Sequence, residues 1–163
     1  MDPQNYSARR DYRPPAAWYQ RLNLIGVPLT SLGLAPRDAV TLEVRGRTSG
    51  KPRRTPILRT AYQGNEYLVA LAGEAQWVRN VRAASGRAIL RRRGTHHVRL
   101  EEVPAAGRAT VIAEYLRLGR ERSGEAAAAK QARCYFGLGP DATTGDIEAI
   151  ASYYPVFRVE YEG

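Results

Sequence analysis

The segment VRGRTSGKPRRTPILRT, residues 44–60, joins a cation-rich turn to an apolar segment that contains β-branched residues. Two glycines, Gly46 and Gly50, allow the positive φ angles and the close backbone approach that a tight turn needs. The cations that accompany them are Arg47, Lys51, Arg53 and Arg54. Exposed backbone N–H groups beside cations are the ingredients of an anion site. From these residues alone the anion stays open between a nucleotide or cofactor phosphate, a nucleic-acid backbone, and none.

The turn does not match the phosphate loop of nucleoside triphosphatases. That loop needs four residues between its glycines and a Ser or Thr after the lysine. Here three residues separate Gly46 from Gly50, and Pro52 follows Lys51. The turn is also predicted to lead from strand to strand, so no helix N-terminus would contribute its dipole. A backbone nest and side-chain cations would have to bind the anion.

Short segments with alternating polarity flank the turn and recur to the end of the chain. They predict strands at 40–44, 54–62, 66–72, 86–93, 97–103 and 155–161. Helical spacing predicts helices at 74–85, 104–119 and 124–136, and one that begins at Thr143 with a capping box to Asp146. Six strands paired mainly as hairpins predict an antiparallel α+β domain. Closure into a small barrel would remove the exposed strand edges.

The N-terminal region divides into two predicted parts. Residues 1–15 are polar, charged and proline-bearing, and are expected to form a flexible tail, which leaves 16–163 as a single domain. Within 16–34 apolar residues are dense, and they predict a helix of about three turns followed by a short helical turn. This helix is expected to pack on the barrel; a lip over a pocket and a contact with a membrane surface are the alternatives.

Charge and composition bound the partners and the compartment. The formal net charge is +9 and the isoelectric point is about 10.1, which favours anionic partners. The single cysteine, Cys134, excludes an internal disulfide and fits a reducing compartment. No apolar run has the length of a signal-peptide core or a membrane span. A cytoplasmic protein is expected, with peripheral membrane association through the N-terminal helix as an alternative.

Two motifs together resemble a known family. GRTSGKPRRTPI at 46–57, followed by WVRNVRA at 77–83, is similar to the pattern G-R-x-[ST]-G-x-x-R-x-x-P … W-x-x-N-[LV]-x-A of the deazaflavin (F420)-dependent nitroreductases. These are also described as F420H2-dependent quinone reductases. The resemblance covers about residues 40–103 and extends to the last strand. It implies a split β-barrel, coenzyme F420 with FMN as the alternative, and hydride transfer to a quinone, nitro compound or enone.

The resemblance also implies where the cofactor binds. The turn would hold its phosphate and acidic glutamate tail, and the helix after the third strand would lie beside it. The expected cofactor-binding residues are Arg47, Thr48, Ser49, Gly50, Lys51, Pro52, Arg53, Arg54, Pro56, Trp77, Val78 and Asn80. The expected catalytic residues are Trp77, Ser49 and Tyr135, while Tyr115, Tyr153 and Tyr154 are other candidate proton donors. Val78 replaces a tyrosine common in the family, and an extra helical insertion occupies 134–154.

Two other functions remain as alternatives. A split barrel could hold a flavin or a fatty-acid-like ligand without turnover. The stretch 75–100 has no acidic residue and seven arginines, which suits nucleic acid, but Trp77 is its only aromatic residue for base stacking.

No metal site is expected, because His96 and His97 are adjacent and would point to opposite faces of a strand. The expected partners are F420 and a small electron-poor substrate, and the choice between monomer and homodimer stays open.

Overall fold

A computed structural model of the chain describes residues 37–163. The predicted tail at 1–15 and the predicted helix at 16–34 lie outside the described residues. The strands are β1 (Ala39–Arg45), β2 (Pro52–Tyr62), β3 (Asn65–Val69), β4 (Arg87–Arg91), β5 (Thr95–Glu102) and β6 (Val156–Tyr161). The α-helices are α1 (Gln76–Ala83), α2 (Ala105–Ser123), α3 (Glu125–Gln131) and α4 (Thr144–Ala151). No helix among residues 37–163 is long and apolar enough to cross a membrane.

The six strands close into one antiparallel barrel. Their order around it is β1-β2-β3-β6-β5-β4, and every neighbouring pair is antiparallel. The chain follows β1 to β3 as a meander, crosses through α1 to the β4–β5 hairpin, and returns through the remaining helices to β6. The predicted α+β barrel of six strands is therefore confirmed.

Alternation along β1 places one set of side chains in the barrel interior. Val40, Leu42 and Val44 belong to the interior hydrophobic cluster, and Leu42 lies opposite Leu90 of β4. The residues between them point outward, yet Thr41 and Glu43 are also buried. Because both faces of β1 are covered, the outer face of this strand holds a buried carboxylate, Glu43, whose arginine partners are closer to solvent.

Helix α1 contributes its apolar face to the barrel interior. Val78 and Val81, three residues apart, are fully buried in the interior cluster, and Trp77 packs against it while staying partly exposed. The helix ends at Ala83, and three residues later Gly86, at a φ of 80°, lies against the backbone of Leu100. A Cβ at position 86 would lie 2.5 Å from the Leu100 carbonyl oxygen, so only glycine fits this connection into β4.

The other helices form a second hydrophobic layer outside the sheet. This layer packs on Val69 and Val156, which point outward from β3 and β6. Its members include Ile112 of α2, Ile150 of α4 and Phe136, which precedes α4.

The predicted helix at 124–136 is divided: α3 ends at Gln131 and a π-helical turn follows at Ala132–Phe136. The predicted capping box is confirmed, since the Thr143 hydroxyl accepts the Asp146 N–H and the Asp146 carboxylate accepts the Thr143 N–H.

Candidate functional site

The loop of residues 46–51 joins β1 to β2 and is closed by its own hydrogen bonds. The Gly46 N–H donates to the Lys51 carbonyl oxygen at 2.9 Å, and the Gly50 N–H donates to the Gly46 carbonyl oxygen at 2.8 Å. Gly50 has a φ of 67°, in the left-handed region that glycine adopts without strain. A Cβ on Gly46 would lie 2.8 Å from the Ser49 Oγ. Gly50 is therefore favoured by its φ angle, while a side chain at position 46 would have to displace the Ser49 hydroxyl.

Most backbone N–H groups of the loop are already bonded. Besides the two glycines, the Lys51 N–H donates to the Ser49 Oγ at 3.3 Å and the Arg47 N–H donates to Asn80. Within residues 37–163, no hydrogen bond uses the N–H of Thr48 or Ser49. The backbone N–H donors that the loop could offer to an anion are therefore these two N–H groups, together with the nearby hydroxyls. Side-chain cations must provide most of the attraction for an anion.

Helix α1 fixes the first cation of the loop. The Asn80 Oδ1 accepts both the Arg47 N–H at 3.2 Å and the Arg47 Nη1 at 2.9 Å. The Gln76 Oε1, one turn earlier, accepts the Arg47 Nη2 at 2.8 Å. Asn80 is buried and both amides are neutral, so Arg47 is immobilised while it retains its charge. Asn80 therefore links helix α1 to the loop through hydrogen bonds.

The four cations of the loop region differ in their partners. Arg54 donates to the buried Glu43 carboxylate at 2.6 Å, and Arg91 of β4 binds the same carboxylate at 3.0 Å. Among residues 37–163, by contrast, Lys51 and Arg53 make no ion pair, and both are exposed. Of these four, Lys51, Arg53 and the immobilised Arg47 are therefore the charges available to an anion, whereas the charge of Arg54 is balanced by Glu43.

Arg79 lies on the same face of α1 as the two amides that bind Arg47. It is three residues after Gln76 and adjacent to Asn80, and residues three or four apart share a helix face. Its side chain is exposed and makes no ion pair within the described part of the chain. Sequence reasoning missed Gln76 and did not name Arg79 as a site residue. The spacing of Gln76, Arg79 and Asn80 was the signal that could have found them.

The ion triad of Glu43, Arg54 and Arg91 predicts a pH-dependent contribution to stability. The hydrogen bond from Arg91, together with that from Arg54, holds the pKa of Glu43 below its ordinary value although burial opposes it. A lowered folded-state pKa means that this contribution is complete above the ordinary glutamate pKa, about 4.3, and is lost as the pH falls through the folded pKa. Glu43→Gln should therefore reduce the free energy of unfolding at pH 7 by about 1–3 kcal/mol.

Denaturant unfolding at a series of pH values measures this difference. The gap between the wild type and Glu43→Gln should shrink below pH about 4. The control is Glu160→Gln, which removes a partly exposed carboxylate on Arg158 and should cost within about 0.5 kcal/mol. A gap that does not change with pH would contradict the role given to Glu43.

Trp77 lies at the boundary between the barrel interior and the surface. Its ring centroid is 5.5 Å from that of Phe157, and the rings are tilted by 56°. It occupies the position after Gln76 in the helix that binds the loop. The indole therefore has a packing role, and its partly exposed side is the part that a ligand could contact.

The other expected site residues fall in different places. Thr48 and Ser49 are exposed in the loop, Pro52 begins β2, and Pro56 faces outward opposite Thr41. Val78 is fully buried in the interior cluster. Tyr135 belongs to the π-helical turn and packs in the outer helical layer, where its carbonyl oxygen accepts the Tyr154 hydroxyl at 2.6 Å. The structure brings Arg47, Asn80 and the loop together, but it places Tyr135 in a layer separate from the one that contains Trp77.

Within residues 37–163, three of the seven arginines in the stretch 75–100 pair with acids from outside it. Arg82 binds Glu74 and Glu102, and Arg91 binds Glu43. The only large hydrophobic side chain exposed among residues 37–163 is Tyr161. Base-stacking platforms need exposed aromatics in the basic region. This distribution gives the nucleic-acid alternative little support.

The fold and the loop define a class of protein: a six-stranded antiparallel barrel whose cation-rich β1–β2 loop is supported by a helix. The sequence narrows the class, because the family model of F420H(2)-dependent quinone reductases matches residues 12–123. The chain belongs to this family. It is therefore an F420H2-dependent reductase with F420 as its cofactor.

Solved structures with a similar fold include proteins with and without F420 in their names. An F420-H2-dependent reductase, FDR-A, is 20% identical, with 76% of this chain and 95% of that chain covered at a TM-score of 0.43. An F420 reductase is 14% identical, with 83% and 92% covered and a TM-score of 0.42. The heme storage protein HutZ from Vibrio cholerae is 12% identical, with 78% and 84% covered and a TM-score of 0.45. A comparison with curated protein sequences finds no match.

Proposed function

We propose that the chain transfers hydride from F420H2 to a quinone, a nitro compound or an enone. The single observation that carries the proposed cofactor site is the pair of exposed cations, Lys51 and Arg53, which have no ion-pair partner within residues 37–163. They follow Arg47, which α1 immobilises. An anionic phosphate and acidic tail fit this set of donors, because charge-assisted hydrogen bonds to fixed guanidinium groups are strong and directional.

The residues of the chain would bind and orient, while bound F420H2 supplies the hydride chemistry. Gln76 and Asn80 hold the Arg47 guanidinium in one orientation. Lys51 and Arg53 extend the cationic surface along the start of β2. The partly exposed side of Trp77 would form an apolar wall that orients the ring system and excludes water from it.

We propose that the proton donor is either Ser49 or Tyr135. Ser49 is exposed in the loop, where its Oγ accepts the Lys51 N–H and its own proton is available to another acceptor. Tyr135 is partly buried in the helical layer and lies in the 134–154 insertion. We favour Ser49 because it belongs to the same loop as the proposed cofactor cations. Ser49→Ala should slow turnover while Tyr135→Phe leaves it unchanged.

Two measurements test the proposed function. Fluorescence titration with F420, and with FMN as the competing ligand, should show tight binding of F420 only. Anaerobic mixing of the F420H2-loaded protein with a quinone, a nitroaromatic compound and an enone should accelerate cofactor oxidation by at least one of them. If the protein binds F420H2 and none of the three acceptors accelerates its oxidation, the non-catalytic carrier replaces the proposed acceptor chemistry.

Asn80 offers a test of how the loop is organised. Asn80→Ala removes the acceptor of two Arg47 bonds, so F420 affinity should fall about tenfold, or about 1.4 kcal/mol. It should also destabilise the fold by about 0.5–1.5 kcal/mol, since the part-buried hydrogen bonds from the exposed Arg47 are lost. Asn80→Asp keeps both bonds but neutralises the Arg47 charge. It should therefore weaken F420 binding with little loss of stability.

Calorimetric titration and chemical unfolding separate these two effects. Gln76→Ala, which removes one exposed bond to the same guanidinium, is the milder comparison and should weaken binding less than Asn80→Ala. If Asn80→Asp binds F420 as tightly as the wild type, the Arg47 charge does not contribute to cofactor binding.

Peripheral membrane contact remains a sequence prediction, because residues 16–34 lie outside the described part of the chain. The choice between a monomer and a homodimer also stays open.

A further inference from the structure

Helix α1 carries three side chains of the proposed cofactor site on about two turns. Gln76 and Asn80 bind Arg47, and Trp77 packs on the barrel interior while staying partly exposed. The helix has eight residues, its N-cap residue Ala75 makes no side-chain hydrogen bond, and its first turn contains no acidic residue. An isolated helix this short is at best marginally stable in water. The orientation of α1 therefore depends on the contacts that hold it from outside.

Arg82 anchors the side of α1 that faces away from the loop. It comes two residues after Asn80, so at about 100° per residue its side chain leaves the helix about 200° further round. The guanidinium donates its Nε and Nη2 to Glu102, at 2.8 and 2.6 Å. It donates its Nη1 and Nη2 to Glu74, at 2.5 and 3.1 Å. One arginine thus binds two carboxylates bidentately, which is a strong and directional form of ion pair.

The two carboxylates belong to different parts of the fold. Glu74 lies in the connection between β3 and α1, and Glu102 is the last residue of β5. Glu102 also accepts the Nη2 of Arg108 in α2 at 3.2 Å, and Arg108 donates its Nη1 to the carbonyl oxygen of Ser152, directly after α4, at 3.1 Å. The hydrogen bond from Arg82 lowers the pKa of Glu102 although burial opposes it, so this carboxylate is ionised at neutral pH. Through Arg82, α1 is connected to the barrel and to the outer helical layer.

A second arginine has a similar set of partners but lies on a strand. The Arg158 Nη2 donates to Glu101 at 2.7 Å and to Glu160 at 2.6 Å, and 40% of its side-chain surface is exposed, as for Arg82. Arg158 belongs to β6, which pairs with β3 on one side and with β5 on the other. The sheet therefore fixes the position of β6 without this ion pair. The backbone of a helix bonds to itself, so the orientation of α1 is left to side chains such as Arg82.

We propose that Arg82 is a positioning residue for hydride transfer: it anchors α1 so that Trp77 and Asn80 keep the orientation that the cofactor site needs. The role rests on the proposed function, because α1 supports the proposed cofactor site. Without the anchor, Asn80 could move away from Arg47, and the indole of Trp77 would no longer be held where it orients the ring of F420.

Amide hydrogen exchange of the cofactor-free protein tests the anchor directly. The Arg47 N–H donates to Asn80 and reports the link between the loop and α1. The Arg59 N–H donates to the Asp38 carbonyl oxygen, beside the far end of β1, and reports the barrel. Arg82→Gln should accelerate exchange of the Arg47 N–H about tenfold and that of the Arg59 N–H less than about twofold, because the helix loosens locally while the barrel stays closed.

Single-turnover oxidation of bound F420H2 by a quinone measures the consequence for transfer. Arg82→Gln should slow it about tenfold, a fraction of the roughly 100-fold cost of a displacement near 1 Å. F420 affinity, measured by fluorescence titration, should fall by a smaller factor than the rate. Arg82→Lys keeps the charge but cannot bind two carboxylates bidentately, so its rate should lie between those of the wild type and Arg82→Gln. Arg158→Gln is the matched control and should keep the wild-type rate and the wild-type exchange of the Arg47 N–H.

Two outcomes would overturn the proposal. One is an equal effect of Arg82→Gln and Arg158→Gln on the single-turnover rate. The other is equal acceleration of the Arg47 and Arg59 N–H exchange in Arg82→Gln, since Arg82 would then only stabilise the fold. If Arg82→Gln does not fold, Arg82→Lys decides by the same comparisons. If the wild type transfers no hydride, the proposed function fails, and exchange of the Arg47 N–H alone decides whether Arg82 anchors α1.

Discussion

Removal of both unpaired loop cations is expected to weaken F420 binding on the order of 100-fold. Lys51→Gln and Arg53→Gln each remove one charge that has no ion-pair partner within residues 37–163. A tenfold loss for each corresponds to about 1.4 kcal/mol. This figure is near the lower end for hydrogen bonds to charged groups, because both side chains are exposed and partly screened by solvent. Fluorescence titration with F420 measures the single and double variants.

Arg93→Asn is the matched control for this experiment. It removes one exposed cation at the opposite end of the barrel and leaves the net charge equal to that of either single variant. It should reduce F420 affinity less than twofold. Unfolding measurements should place all variants within about 0.5 kcal/mol of the wild type, since surface substitutions rarely cost more. If the folded double variant binds F420 as tightly as the wild type, the loop is not part of the cofactor site.

Arg54→Gln is expected to behave differently from its neighbour. The Arg54 guanidinium binds Glu43 at 2.6 Å, so its substitution should act mainly on stability. This contrast between adjacent arginines is a consequence of strand alternation: Arg53 lies opposite Val44, on the interior side, and Arg54 lies opposite Glu43, on the outer side. Sequence reasoning assigned both to the cofactor.

The barrel could be predicted from sequence because its signals are local. Val40, Leu42 and Val44 alternate with polar residues, and the turn residues between strands mark each hairpin. Hairpin pairing gives the neighbours β1-β2-β3 and β4-β5, whereas the pairs β1–β4, β3–β6 and β5–β6 join strands that are far apart in the sequence, and their pairing was not predicted. The capping box at Thr143 and Asp146 is local in the same sense, and it too was predicted correctly.

Features that depend on distant partners could not be predicted in this way. Arg91 is 48 residues from Glu43, and Arg47 is 33 residues from Asn80, so the pattern around either arginine contains no sign of its partner. The stretch 75–100 had the appearance of an unbroken basic surface because the acidic partners of Arg82, Arg91 and Arg99 lie outside it. The π-helical turn at Ala132–Phe136 was missed because its sequence has ordinary helical spacing.

Substitution of Trp77 is expected to slow hydride transfer by about 100-fold while it weakens F420 binding much less. The loop cations would bind the anionic part of the cofactor, so they would determine F420 affinity independently of the rate of hydride transfer. Trp77 would orient the ring, and hydride transfer needs donor and acceptor within about 3–3.5 Å of each other; a displacement near 1 Å costs on the order of 100-fold in rate. Single-turnover oxidation of bound F420H2 by a quinone measures the effect in Trp77→Ala.

The structure shows that this substitution also affects packing. Trp77 contacts Phe157 and the interior cluster, so Trp77→Ala should lower the free energy of unfolding by about 2–4 kcal/mol. Trp77→Phe keeps an aromatic ring against Phe157 and should retain most of the stability, with an intermediate rate of hydride transfer. Phe157 itself is unsuitable as a stability control, because its substitution would displace the indole.

Phe136→Leu provides that control from the other hydrophobic layer. Phe136 is fully buried between Tyr115 and Tyr154 and has no place in the cluster that contains Trp77. It should lose stability comparable to that lost by Trp77→Ala and keep the wild-type rate of hydride transfer, because instability of the folded state alone does not misplace a bound ring. If Phe136→Leu slows the single turnover as much as Trp77→Ala does, or if Trp77→Ala loses affinity and rate by the same factor, Trp77 supports the fold and does not position the cofactor for transfer.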